Sequence, residues 1–322
     1  MLVHQWSSRV ADRRDGLCRT TTRLQALTRP VAETRRPVAG RTAASIASSP
    51  FRTRNMQPQA INEAAELIAA HFASGSRRDE LPAACRPASR AEGYAVQAEV
   101  VRQLGQRPVG WKIAATSMAG QKHINVDGPL AGRLLVNRIF AAGSEAANSI
   151  DLRGNLLRVA EAEFAFRMAR TLPPQANGQQ YVVDEVMAAV DSLHLAIEVP
   201  DTRFNDFVKV GAPTLIADLA CASWWVVGSA VTIDWRSIDL AAHRVTASNA
   251  GRTVAEGIGA NVFGDPRIAL TWLANELCTY GNGLQAGDFI TTGTCVVPVP
   301  CAPGDALTMD FGALGTIAVT FP

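Results

Sequence analysis

The sequence predicts a mixed α+β fold in which a rolled or barrel-like β-sheet is flanked by helices. Three observations predict it. Helical periodicity is concentrated early, between Ile61 and Gly105. Strand-like patterns take over after Val109 and become dense towards the end of the chain. The two patterns do not alternate in the regular way of a doubly wound parallel sheet. Composition agrees. With 322 residues, 48% hydrophobic and 19% charged, the chain can bury a large core and is neither collagenous nor disordered. The longest mostly apolar stretch, Leu219 to Ile233, is interrupted by Ser223, Gly228, Ser229 and Thr232. It falls short of the roughly 18 apolar residues of a membrane span.

The elements follow in order. Ile61, Ala64, Ala65, Ile68 and Phe72 recur at helical spacing, and Gly75 ends the pattern. Ser89 and Glu92 form a capping box for a second helix that closes at Gly105. Val109 to Thr116 reads as a strand with Val109, Trp111 and Ile113 on one face and Lys112 on the other. Leu156 to Met168 is a longer strand, Asp184 to Val190 a short helical piece, and Leu193 to Val199 a strand. Pro213 to Ser223 reads as helical and leads into a strand over Trp224 to Gly228. Arg244–Ser248 and Arg252–Glu256 are hairpin arms around Asn249-Ala250-Gly251. Asp265-Pro266 caps a helix that ends at Gly281. Strands over Asp288–Thr292, Asp305–Phe311 and Thr316–Phe321 complete the chain.

The formal net charge of +2 hides a division. Residues 1–55 hold eleven Arg, no Lys and three acids, a charge of +8, which leaves −6 for residues 56–322. The division predicts a basic leader (1–55) and a single catalytic domain (56–322). A folded body with an acidic excess offers nucleic acid no basic surface. The leader reads as a disordered extension, or as translated sequence upstream of a start at Met56. Its Arg-rich, Ser-rich, acid-poor composition also suits an organellar transit peptide. The corresponding locations are cytoplasmic and mitochondrial. None of the six Cys forms a C-x-x-C pair, and the five His lack zinc-ligand spacing.

Glu161 and Glu163 are the most informative residues. On a strand, i and i+2 side chains share a face, so both carboxylates point one way. Ala160, Ala162, Phe164 and Phe166 occupy the other face and require a core. Like charges side by side repel unless a cation lies between them. A solvent-exposed strand face is the competing reading of Glu-x-Glu alone. Glu198 adds a third carboxylate, because Leu193, Leu195, Ile197 and Val199 alternate with it on the opposite face. A salt bridge to Arg203 or another Arg is its competing reading. Three oxygen donors with water completing the shell favour Mg²⁺ or Mn²⁺ over zinc. Lys112 is one of only three Lys against 28 Arg. Its place between Trp111 and Ile113 predicts burial, and burial predicts a lowered pKa suited to proton transfer. A snorkelling strand lysine is the alternative. Thr291-Thr292-Gly293-Thr294 can present N–H groups and hydroxyls to an anion. No G-x-G-x-x-G, G-x-S-x-G or Walker motif is present.

Together these residues resemble the fumarylacetoacetate hydrolase superfamily, in particular its 2-keto-4-pentenoate hydratase branch. The matching segments are Gly110–Ser117, Val126–Pro129, Val159–Phe164, Ala196–Arg203, Leu215–Asp218, Gly287-Asp288 with Thr292–Thr294, and Phe311–Gly315. They run in family order over nearly all of the body and none of the leader. The resemblance implies a C-terminal-domain-like β-roll of that superfamily, assembled as a homo-oligomer. It implies a metal held by Glu161, Glu163 and Glu198, with Lys112 beside the substrate. It makes Thr116, Ser117, Gly293 and Thr294 substrate-binding residues, with the Thr294 loop near the substrate's carboxylate. Two positions depart from the pattern: Leu219 where Asn is frequent, and Thr294 where Ser is frequent. The implied reaction is hydration of a 2-hydroxy-2,4-dienoate in aromatic catabolism. A decarboxylase of 2-oxo-3-enedioates and a C–C hydrolase using His123 are rivals within the superfamily. A non-catalytic scaffold is a rival of another class.

Overall fold

A computed structural model describes residues 56–322 of the chain. The 1–55 leader, with Cys18, lies outside the described residues. Helix α1 (Pro58–Ser74) starts on a proline, and Gly75 ends it at φ 69° with its N–H on the His71 carbonyl. Helix α2 (Arg90–Leu104) is capped by Ser89, whose hydroxyl accepts the Glu92 N–H. The box closes differently from expectation, because Glu92 accepts from the N–H groups of Ala88 and Met56.

Strand β1 (Pro108–Ala114) runs as expected until Ala115 turns the chain at φ 57°. Three elements then appear that periodicity does not announce: α3 (Met118–Ile124), β2 (Leu130–Leu135) and β3 (Ile139–Ala141). Strand β4 (Val159–Met168) is shorter than the expected 156–168. Asn155 accepts the Arg158 N–H and Asp201 accepts the Leu156 N–H, which folds the missing residues into a turn. Helix α4 (Val183–Met187) and strand β5 (Val190–Val199) follow.

The expected helix over 213–223 is corrected to a shorter one, α5 (Ala212–Ala217). After it, Leu219, Ala220 and Cys221 all take left-handed φ values of 52°, 50° and 65°. Three successive side-chain-bearing residues in this region are costly and need support from their surroundings. Strand β6 (Trp224–Ala230) and the hairpin β7 (Arg244–Asn249) and β8 (Arg252–Ile258) come next. Positive φ at both Ala250 and Gly251 gives the two-residue turn that matches strand twist. Asp265 caps α6 (Pro266–Tyr280) through the Arg267 N–H. Strands β9 (Phe289–Thr294), β10 (Val299–Pro300), β11 (Ala306–Asp310) and β12 (Thr316–Thr320) end the chain.

The strands form two sheets. The larger is mixed and curled into a half-barrel, in the order β2-β1-β9-β4-β5-β6-β3, with β10 added to β4. Pairs β1/β9 and β3/β6 are parallel and the others antiparallel. The smaller sheet is β12-β11-β7-β8. Phe164 and Phe166 of β4 are fully buried in the core, edge-on to Phe311 and tilted against Trp235 respectively. A second apolar cluster packs α1 and α2 onto Leu135, Phe204, Leu219 and Ala222. The helical layer thus lies over the left-handed segment. Among the described residues all five Cys are free thiols, and burial pushes those of Cys221 and Cys301 up to about 12. No helix among the described residues is long and apolar enough to cross a membrane.

Gly132 of β2 lets the left-handed segment lie on the sheet. A Cβ there would meet the Leu219 carbonyl oxygen at 1.8 Å. Gly132→Ala is expected to destabilise the protein by about 2 kcal/mol or more, since backbone must move. Gly128→Ala, with nothing within 4 Å of the added Cβ, is expected to stay within about 0.5 kcal/mol. Urea unfolding of the pair tests this, and equal midpoints would refute the packing role.

Candidate active site

The site grows from strand pairing. Glu161 stands directly opposite Glu198 across the β4/β5 ladder, and Glu163 is two residues along the same face. One oxygen from each of the three lies within 4.8 Å of the others. Glu163 and Glu198 are fully buried, while Glu161 is half-buried. Lys112 comes from β1, which lies beyond β9. Its ammonium is 3.0 Å from Glu198 Oε1 and donates to the Ala220 carbonyl at 2.9 Å.

Glu198 therefore pairs with Lys112, and the expected competitor Arg203 is committed elsewhere. Its guanidinium pairs with the buried Asp218, which also accepts from the Thr202 hydroxyl and the Arg203 N–H. Arg203 further donates to the Ala222 and Asp218 carbonyls. These bonds bracket residues 219–221 and hold the left-handed turn that aims Ala220 at Lys112. Removing one partner of such a buried pair costs about 3–5 kcal/mol, so it fixes the turn firmly.

The Thr-Gly segment enters through a β-bulge. Thr294 pairs with Glu163 and Thr291 with Ala165, so β9 carries one residue more than β4 between these points. The bulge frees the Gly293 N–H from the ladder, and it donates to Glu163 Oε2 at 2.8 Å. Gly293 has φ 102°, and a Cβ on it would fall 2.2 Å from the Thr116 hydroxyl. Thr116 and Gly293 thus touch, as neighbours in one wall. Ser117 instead caps α3 by accepting the Gly120 N–H. The Thr294 hydroxyl donates to the Val296 carbonyl, and that of Thr292 to the Phe164 carbonyl. Thr291 belongs to the segment that the sequence offers to an anion but is not among the expected substrate-binding residues, yet its buried hydroxyl has no partner, and it lies beside Lys112 in the β1/β9 register. Its strand parity with Lys112 is the signal that would have found it. His123 sits on α3 with its ring edge-on to Phe207.

The electrostatics correct one expectation. Burial alone would lower the Lys112 pKa, but Glu198 and Glu161 outweigh it and the net shift is upward. Burial pushes Glu161 up to about 8, with Glu198's charge adding to it and Lys112 opposing. Burial, helped by Glu161, pushes Glu163 up to about 7 against the Gly293 N–H. Glu198 is raised well above the usual carboxylate range by burial, although Lys112 opposes it. The cluster thus holds protons that a cation would displace.

The residues fit a hard divalent cation. Glu163 Oε1 and both oxygens of Glu198 are buried without a hydrogen-bond donor, the Lys112 contact being an ion pair. Three carboxylates and one ammonium carry two net negative charges when ionised. All donors are oxygen, the chemistry Mg²⁺ or Mn²⁺ prefers.

No family model matches the chain. It is 34% identical over 217 residues to a 2-hydroxyhexa-2,4-dienoate hydratase of Comamonas testosteroni, covering 67% of this chain and 79% of that protein. It is 30% identical over 269 residues to a 2-keto-4-pentenoate hydratase of Paraburkholderia xenovorans, covering 83% and 96%. A solved 4-oxalocrotonate decarboxylase from Pseudomonas putida G7, complexed with magnesium and adipate, superposes with a TM-score of 0.74 at 27% identity. That match covers 84% of this chain and all of that one. Identity of this extent over two thirds or more of both chains means that the chain belongs to the family of 2-keto-4-pentenoate hydratases and 4-oxalocrotonate decarboxylases.

Proposed function

We propose that the protein is a divalent-cation-dependent hydratase that adds water to a 2-hydroxy-2,4-dienoate and yields a 4-hydroxy-2-oxo acid. The observation that carries the reading is the buried Glu161–Glu163–Glu198 cluster with the Lys112 ammonium against it. The hydratase relatives support it. A cation held by the three carboxylates would polarise the substrate's C2 oxygen and stabilise an enolate. Mg²⁺ or Mn²⁺ suits the oxygen donors.

The chain's own groups supply the rest. Gly293 and Thr116 close one wall, and the unpartnered Thr291 hydroxyl is free to hold the substrate carboxylate. Lys112 is cationic at rest, so it serves first as a proton donor and as a partner for developing negative charge. In ketonisation the enol O–H is lost and C5 gains a proton. The conjugated ketone then takes hydroxide at C4 and a proton at C3. We assign the catalytic unit to residues 56–322, acting as a cytoplasmic homo-oligomer on a small acid substrate.

A second reading is a decarboxylase of 2-oxo-3-enedioates. It is favoured by 30% identity to a 4-oxalocrotonate decarboxylase of a Pseudomonas strain, over 72% of this chain. Loss of CO₂ also passes through an enolate, so the same carboxylates and Lys112 serve both. Turnover of 2-hydroxypenta-2,4-dienoate and of 2-oxohex-3-enedioate, each with Mg²⁺ and with EDTA, separates them. Product identity decides, and no turnover of either sinks both.

Glu161→Gln is expected to weaken Mg²⁺ binding and lower kcat/KM by about 10²-fold or more. Normal turnover and binding in this variant would refute the ligand assignment. Lys112→Met is expected to lower kcat by about 10²- to 10⁴-fold while Mg²⁺ binds at least as tightly, because a like charge is gone. Calorimetry beside steady-state kinetics gives both readouts, and lost binding with retained kcat would contradict the role.

The raised carboxylates also set a pH dependence. A carboxylate whose folded pKa lies above its unfolded value of 4.5 contributes stability below 4.5 and loses it as pH rises through its folded pKa. For Glu163 and Glu161 that loss runs from 4.5 to about 7 and about 8. In EDTA, Tm should therefore fall across this window, and saturating Mg²⁺ should offset the fall. A Tm in EDTA that rises across it would exclude proton storage by the cluster.

A further inference from the structure

Trp111 and Lys112 are adjacent on β1 and so point to opposite faces of the sheet. On the Trp111 side, away from the carboxylates, lies a cavity of about 560 Å³ between α2, the end of α6 and the β1/β2 pair. Its walls are largely apolar and aromatic. Tyr94 and Tyr280 stack with ring centroids 5.4 Å apart, and Val101, Pro108 and the Trp111 ring continue the surface.

Its polar content is unbalanced. Arg133 is the cation in the wall, and no acidic side chain lines it. Glu276, the acid beneath the tyrosines, is already taken by Arg90 and the Tyr94 hydroxyl. Gln97 is likewise committed, to the Ala131 and Ile216 carbonyls. Among the described residues Arg133 makes no ion pair within 4 Å and no side-chain hydrogen bond. Its guanidinium lies 3.7 Å over the Trp111 ring. Trp111 is 4% exposed, and its indole N–H is buried without an acceptor. Burial lowers the Arg133 pKa to about 10, with Asp288 opposing, which marks a desolvated cation short of counter-charge.

We propose that this cavity binds a small carboxylic acid with a planar apolar body, at a site separate from the carboxylate cluster. The acid's carboxylate pairs with Arg133. Its planar body lies against Tyr94 and Tyr280. A guanidinium already held flat by an indole is preorganised for such a partner. The volume is in the range of small-molecule sites. The proposal does not depend on the assigned reaction.

Benzoate is the probe. It is titrated by calorimetry into the full-length protein in EDTA, where a cation-dependent catalytic pocket cannot take it up. Saturable binding is expected, unchanged by Mg²⁺. Benzyl alcohol, without the charge, should bind at least about tenfold more weakly. Arg133→Gln should weaken benzoate by a similar factor. Ala98→Phe places a ring in the cavity from an exposed position of α2 and should abolish binding while leaving Tm in place. Absence of saturable binding to the parent protein overturns the proposal, as does equal affinity in both variants. Inorganic phosphate binding as tightly as benzoate would overturn the planar-acid assignment. A changed oligomeric mass in Ala98→Phe, without benzoate binding to the parent, would assign the cavity to a second copy of the chain instead.

Discussion

Repulsion among three closely set carboxylates is the constraint around which this molecule is built. One oxygen from each lies within 4.8 Å of the others, and two of the residues are wholly buried. Burying charge in this way costs several kcal/mol per ion before any partner is added. Lys112 and the Gly293 N–H offset part of that cost, and the raised carboxylate pKa values register the remainder. The carboxylates do not hold themselves in place. The reverse face of β4 does so, because Ala160, Ala162, Phe164 and Phe166 are all fully buried. To relieve the repulsion by swinging β4 outward, the protein would have to open its core. The apolar face thus carries the cost of the polar one.

Backbone irregularity is distributed accordingly. Ala115, Arg158, Leu219, Ala220 and Cys221 all have positive φ without being glycine, and all lie on segments that border the site. Positive φ in such residues is an energetic cost that surroundings must offset. Several of these departures have an identifiable return. The turn at Ala115 brings Thr116 against Gly293, and the left-handed run delivers the Ala220 carbonyl to Lys112. The bulge in β9 releases the Gly293 N–H. Support comes from outside the cluster, in Gly132, the Arg203–Asp218 pair and the helical layer packed on Leu219.

What the sequence made legible follows from period and scarcity. Alternation alone put Glu161 and Glu163 on one face and Glu198 opposite the apolar side of its strand. The rarity of lysine pointed to Lys112. Helices α1, α2 and α6 were readable because their apolar stripes and terminal signals agree. Strand β2 was not, because Leu130, Ala131, Leu134 and Leu135 are all buried and leave no alternation to detect. Helix α3 has no buried residue and hence no stripe. Leu-Ala-Cys at 219–221 carries no glycine to announce a left-handed turn, so helix was the natural expectation there. The direction of the Lys112 pKa shift was misread for a related reason. Burial is visible in a strand pattern, but the sum of neighbouring charges requires their positions across three strands.

Strand β1 joins two opposite charge problems. Lys112 projects into a cluster with excess negative charge, and Trp111 beside it supports an arginine without a counter-ion. The two cannot neutralise each other, since the sheet separates them and Trp111 and Lys112 must face opposite ways. Each face therefore keeps its own imbalance. On one side the buried carboxylate oxygens call for a cation, and on the other the unpaired Arg133 guanidinium calls for an anion. A packed protein interior leaves few buried polar groups unsatisfied without a reason. Here the buried oxygens of Glu163 and Glu198 lie on one face of the sheet and the unpaired Arg133 on the other, an arrangement that the proposed cation and acid would complete.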